Sequence, residues 1–263
     1  MRAIQSGTWT ALLAAAACLA APAIHAQGRE EAKLITATSV MTELRESRDQ
    51  QIPQWLLDRA YGIVVVPDVV KVGFWFGGRH GKGVMVVRNE AGRFSNPVFV
   101  NLSGGSFGPQ IGAQSTDVVL VFTTRRGVEG ITDGKVTLGA DASVAAGPVG
   151  RTASAATDAA FKAEVYSYSR SKGLFAGVAL DGSAITIDDK SNAAFYGKKV
   201  DADDILKGQV STNSNGAQRF LATVSSSTTP VSATATAAPA GAPAPTEPAG
   251  TGVKTYPLEE PAR

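Results

Sequence analysis

The chain has 263 residues, with 25 Lys and Arg against 23 Asp and Glu, a net charge of +2. So balanced a composition creates no global field to gather nucleic acid; none is expected as a partner, and only local clustering of charge could make a binding face. One cysteine rules out a disulfide framework, and two histidines leave too few soft ligands for a zinc or copper cage.

The first 26 residues read as an export signal. Arg2 supplies a positive start, residues 10–21 are apolar and Ala-rich, and small residues close the run at Ala23 and Ala26. It is shorter than the ~20 apolar residues of a membrane span. Cleavage after Ala26 leaves Gln27 as the mature N-terminus; acylation at Cys18, preceded by Ala15, Ala16 and Ala17, is the alternative. Either route delivers the protein to the periplasm or cell surface.

Over residues 29–50, Leu34, Ala37, Met41 and Leu44 recur at helical spacing among Glu30, Lys33, Glu43, Arg45 and Arg48. This amphipathic helix lacks the basic excess of a membrane-surface helix, so it is expected to pack on its own domain. Pro53 marks a boundary, and residues 54–61 form a short helical piece ending at Gly62. Ile63, Val64, Val65 and Val66, closed by Pro67, predict a buried strand.

Residues 72–88 organise the rest. Aromatic and branched residues flank the glycine-rich run Gly77, Gly78, Arg79, His80, Gly81, Lys82, Gly83, which predicts two neighbouring antiparallel strands and a basic hairpin tip. Downstream, 98–102 and 118–123 read as strands, with 103–112 a glycine-rich loop or a strongly bent strand between them. Residues 125–133 form a turn or short helix carrying Arg125 and Arg126. The small residues of 137–150 suit strands pressed against another backbone. Strands follow at 164–170 and 174–180, and Asp181 and Gly182 form a hairpin turn into 185–187. Short helices at 192–196 and 202–206 cover the end of the sheet.

From residue 225 to 263 the composition is mostly Ser, Thr, Ala, Pro and Gly, a segment too poor in large apolar side chains to order itself. The expected organisation is a signal peptide at 1–26, one domain over 27–224 and a disordered tail at 225–263. The fold class is α+β: a single domain with a bent, barrel-like antiparallel sheet, an N-terminal amphipathic helix and short covering helices.

Catalytic patterns fail on inspection. Gly104, Gly105, Ser106, Phe107 and Gly108 match the nucleophile-elbow spacing, but Pro109 and Gly112 oppose the required helix and no histidine follows His80. The run from Gly77 to Gly83 misses the phosphate-loop spacing and its Ser or Thr. Asp188, Asp189, Asp201, Asp203 and Asp204 lack a calcium-loop pattern, and Asp201 suits a helix cap. No catalytic residue, metal or cofactor is expected. There remain the cations Lys71, Arg79, Lys82, Arg88, Arg93, Arg125 and Arg126, with Phe74 and Trp75 beside them. Gathered on one edge, they would form an anion-binding face with aromatics at a membrane interface.

The run from Ile52 to Pro67, followed by Lys71-Val72-Gly73-Phe74 and by Gly77 to Val84, resembles the SYLF domain family. So do residues 104–112, Gly147-Pro148-Val149-Gly150-Arg151, Tyr166-Ser167-Tyr168-Ser169 and Gly173-Leu174-Phe175-Ala176-Gly177. The series spans roughly residues 35–200. The resemblance implies non-catalytic binding of phosphoinositides and other anionic lipids, with actin binding in the eukaryotic branch. The reading is therefore an exported lipid-binding protein whose basic edge meets anionic phospholipid headgroups. The alternative is an envelope structural or assembly protein that binds a protein partner.

Overall fold

The computed structural model describes residues 27–44, 46, 52–149, 163–171 and 174–228, with backbone alone at 73–76 and 106–113. All of them fall within one compact unit, residues 1–230. The expected signal peptide, Cys18 and the tail beyond 228 lie outside the described residues.

Helix α1 (residues 27–44) opens the described chain, and α2 spans Gln54–Asp58. Two long strands follow, β1 (Gly62–Val87) and β2 (Val98–Phe122), antiparallel from Gly62 opposite Phe122 to Met85 opposite Val98. Helix α3 (Arg125–Thr132) leads to β3 (Lys135–Thr137), β4 (Val144–Ala146), β5 (Val165–Ser171), β6 (Leu174–Gly177) and β7 (Ser183–Ile187). Helices α4 (Asp189–Tyr196), α5 (Ala202–Leu206) and α6 (Asn215–Thr228) close the unit. The fold is α+β with a curled sheet, as expected. Among the described residues the sheet has 7 strands, and β4 alone runs parallel to its neighbour β5.

β2 is the hub. Its first part pairs with β7 from Val100 to Gly104, its last part pairs with β5 from Asp117 to Phe122, and β1 flanks it throughout. Register shifts after Val66 and after Gly73 bend β1, as bulges do. Asp68 sits in the first shift at φ 52, its N–H donating to the Asp117 carboxylate at 3.0 Å.

The glycine turn expected over 77–83 is not a turn. The backbone stays extended there, with Gly77 opposite Ser106 and Lys82 opposite Asn101. The glycines serve close approach instead. A Cβ at Gly83 would meet the Val65 carbonyl and lie 2.7 Å from Val66 Cγ2, and one at Gly81 would lie 2.8 Å from Val66 and Val69. The two ends of β1 thus rest against each other, which only residues without side chains allow. Likewise Asp181 and Gly182 turn the chain, but β6 pairs with β5 while β7 crosses to β2 and β3, so they do not join a hairpin.

The apolar run at 63–66 buries both faces of the sheet, as continuous rather than alternating patterning requires. Ile63 and Val65 join a first core with α1, α2, α6, Tyr166 and Tyr168. Val64 and Val66 join a second with α3, α5, Leu102 and Ile185. Helix α1 buries Leu34, Val40, Met41 and Leu44 completely or nearly so, each worth roughly 1.5–3 kcal/mol. It packs on its own domain, as its balanced charge predicts. Polar contacts fix it further: Glu31 accepts from Gly216 N–H and Ser214 Oγ, both at 2.6 Å, and so caps α6. Helix α6 extends three residues past Ser225, where a disordered tail was expected, with Ser227 and Thr228 buried.

Candidate functional site

The end of β1, the turn after it, α3 and α5 enclose an open groove of about 390 Å³. Its walls are Tyr61, Val87, Ala91, Val128 and Leu206, with three cations and three acids at the rim and base. Thr124 caps α3 by accepting from Gly127 N–H at 3.3 Å, which orients the first turn and the side chain of Arg125. Arg125 Nε donates to Glu129 one turn on, at 2.6 Å, and Lys207 pairs with Asp203 on α5. Both pairs are exposed, and each acid keeps its cation more basic than usual. Arg88 differs. Its guanidinium lies 5.0 Å over the Phe94 ring, and its buried Nε has no hydrogen-bond partner among the described residues. Glu90 lies at the same groove. The arrangement combines apolar walls, a guanidinium and two weak, exchangeable surface ion pairs.

The seven expected cations do not form one basic edge. Arg88 and Arg125 meet at the groove, while Arg93 and Arg126 are exposed and do not line it. Lys71, opposite Gln114, and Arg79, opposite Gly104, lie elsewhere on β1. Lys82 is neutralised: its Nζ donates to Asp188 at 2.5 Å. Asp188 also caps α4 through Ser191 N–H at 3.2 Å, and the Ser191 hydroxyl lies 2.9 Å from both Asp188 and Glu30. Burial pushes the Asp188 carboxyl up, but the hydrogen bonds from Lys82 and Ser191 outweigh it and hold the group below its ordinary value. Lys33 shares this cluster and is pushed down, by burial first and by nearby Lys82 in part. Strand alternation sends Lys82 to the opposite face of β1 from Arg79, and Arg93, Arg125 and Arg126 lie off the sheet, which a sequence count of charge cannot show. Phe74 and Trp75 belong to β1, but their side chains lie outside the described residues.

Sequence reasoning missed Tyr61, Glu90, Lys207 and the role of Asp188. The Arg125–Glu129 and Asp203–Lys207 pairs were legible as helical neighbours. Nothing local links Lys82 to Asp188, 106 residues away.

The family described as "Ysc84: Las17-binding protein actin regulator" matches residues 103–227, which build β2, the strands after it and the covering helices. This chain carries a SYLF, or Ysc84, family domain. "LAS seventeen-binding protein 3" of Saccharomyces cerevisiae is 40% identical over 184 residues, 69% of this chain and 40% of the relative. "Protein YSC84" of the same yeast is 41% identical over 165 residues, covering 62% and 35%. "SH3 domain-containing YSC84-like protein 1" of Homo sapiens is 33% identical over 186 residues, covering 70% and 54%. The SYLF match therefore spans about a third to just over half of these relatives' lengths.

These relatives correct the expected function, partner and address. They are yeast and vertebrate proteins, and the names describe Las17 binding, SH3 domains and actin regulation. The expectation of anionic lipid headgroups as partner is overturned, because the names point to protein ligands. So are export by a signal peptide and residence in the periplasm or at the cell surface, because the relatives are yeast and vertebrate proteins of a family described as an actin regulator. The SYLF domain is of a binding, regulatory kind.

Proposed function

We propose that this chain is a protein-binding module without enzymatic activity, and that the groove at Arg88 and Arg125 is its docking surface. The observation that carries the reading is the 40% identity to a protein named for binding Las17. The groove supplies compatible chemistry: an apolar wall to anchor a segment and a guanidinium to receive a carboxylate. Arg93 and Arg126, exposed beside it in the chain, would add electrostatic steering of an acidic partner. The proposed domain is the stretch 27–224, carried to Thr228 by α6.

The test is binding of the full chain to purified Las17 and, separately, to actin filaments by co-sedimentation. At least one is expected to be retained. Reversing both groove arginines, Arg88→Glu with Arg125→Glu, should weaken that binding roughly tenfold or more without lowering the melting temperature greatly. Retention of neither protein ends the protein-binding reading. Retention untouched by the double reversal moves the docking surface elsewhere.

A further inference from the structure

Two polar groups that nothing among the described residues satisfies stand in one row across the sheet. Arg79 of β1 lies opposite Gly104 of β2, and Gly104 lies opposite Ser183 of β7. Directly opposed residues of antiparallel strands project to the same face, so the side chains of Arg79 and Ser183 flank a position that has none. Ser183 is fully buried and its Oγ has no hydrogen-bond partner; the Nε of Arg79 is buried and also lacks one. Gly104 is required there, since a Cβ would lie 2.7 Å from Ser183 Oγ and 2.8 Å from its Cα. The face is that of the second core, with Leu102 and Ile185 on the neighbouring rows.

The charge adds to the geometry. Lys82, Arg125, Arg170 and Lys207 each have a carboxylate within ion-pair distance. Among the described residues Arg79 has none, and burial pushes its pKa down. A guanidinium cannot shed its proton to escape that burial, so the site holds an obligatory positive charge with unused donors. Buried donors without partners are rare and normally mark a missing water or ion.

We infer that Arg79, Gly104 and Ser183 form an oxyanion-binding site that takes one phosphate or carboxylate group. The Nε–H and one Nη–H of Arg79 form the fork that such groups accept bidentately. The Ser183 hydroxyl supplies a third donor after one χ1 rotation over the bare Gly104. Lys71 lies two residues beyond Val69, on the same side of β1 as that second-core residue. None of these residues lines the groove, so the site stands apart from the proposed docking surface.

The test is an NMR titration of the full chain, following the Arg79 Nε–H resonance with inorganic phosphate and, separately, sodium acetate. Sodium chloride at matched ionic strength is the control. The resonance should move saturably with phosphate, acetate or both, and the responding anion names the ligand class. Arg79→Gln should weaken that anion's binding by roughly tenfold or more, and Ser183→Ala by roughly three- to tenfold. Gly104→Ala should weaken it too, by displacing Ser183. Should Arg79→Gln fold poorly, Arg79→Lys keeps the charge and removes the fork, and is still expected to bind several-fold more weakly. No saturable shift with either anion at tens of millimolar overturns the site. So does a shift matched by chloride, or unchanged affinity in both Arg79 variants; in each case a buried water is the partner.

Discussion

Arg79 and Lys82 stand three residues apart on β1, and that odd spacing sends them to opposite faces of the sheet. Lys82 emerges on the side of α1 and α4. There Asp188, already fixed as a helix cap, neutralises it and is itself tied through Ser191 to Glu30. Arg79 emerges over the second core and, among the described residues, meets a glycine, a buried serine and no acid. The same strand therefore spends one cation on internal structure and leaves the other with donors unused. A basic residue becomes a binding residue by what the neighbouring strands do not supply, not by its charge.

Substitution should expose the difference in sign. Lys82→Ala leaves a nearly buried carboxylate without its ammonium. Removing one member of a buried pair commonly costs about 3–5 kcal/mol. The lysine is 45% exposed, so water partly replaces it and a loss of about 2 kcal/mol is expected in urea unfolding. Arg79→Met should do the opposite. It exchanges an unsatisfied charged group for an apolar chain of similar length at the edge of an apolar core. In anion-free buffer it should gain about 1 kcal/mol. Equal losses from both substitutions would mean that Arg79 is as well satisfied as Lys82, and the contrast would fail.

The same strand shows how much was legible beforehand. The 3–4 spacing of Leu34, Ala37, Met41 and Leu44 marked α1, and its balanced charge predicted that it would pack inward, because both signals are local. The β-branched run at 63–66 marked a strand buried on both faces for the same reason. The glycines of 77–83 misled. Freedom to turn and freedom to be approached closely come from the same missing side chain, and only the neighbour, Val65 and Val66 here, decides which is used. Helix α6 carries a helical period in Ala217, Phe220 and Val224, but the Ser and Thr around them resemble the tail that follows and hide it. Of the binding chemistry, the pairs within α3 and α5 could be read off the chain. The row through Arg79, Gly104 and Ser183 could not, since it joins three strands whose register is set by bulges and crossovers.

The smallest expected effect is on pH dependence, and it tests the Lys82 side of the contrast alone. The folded-state pKa of Asp188 lies below its ordinary value, so its contribution is fully present above the unfolded value of about 4 and is lost as pH falls through the folded value. Stability of the natural chain should therefore decline on acidification below about pH 4, in part through this group. Lys82→Ala removes the strongest of the hydrogen bonds that offset burial, so the folded pKa rises toward or past the unfolded one. The variant should then start less stable and lose less on acidification, its slope between about pH 5 and 2.5 being shallower. Arg79→Met faces no carboxylate and should leave that slope unchanged. If the slopes of all three proteins coincide in urea unfolding across that range, the Lys82–Asp188 bond does not shape the carboxyl's titration. The two cations then differ in geometry but not in electrostatic consequence.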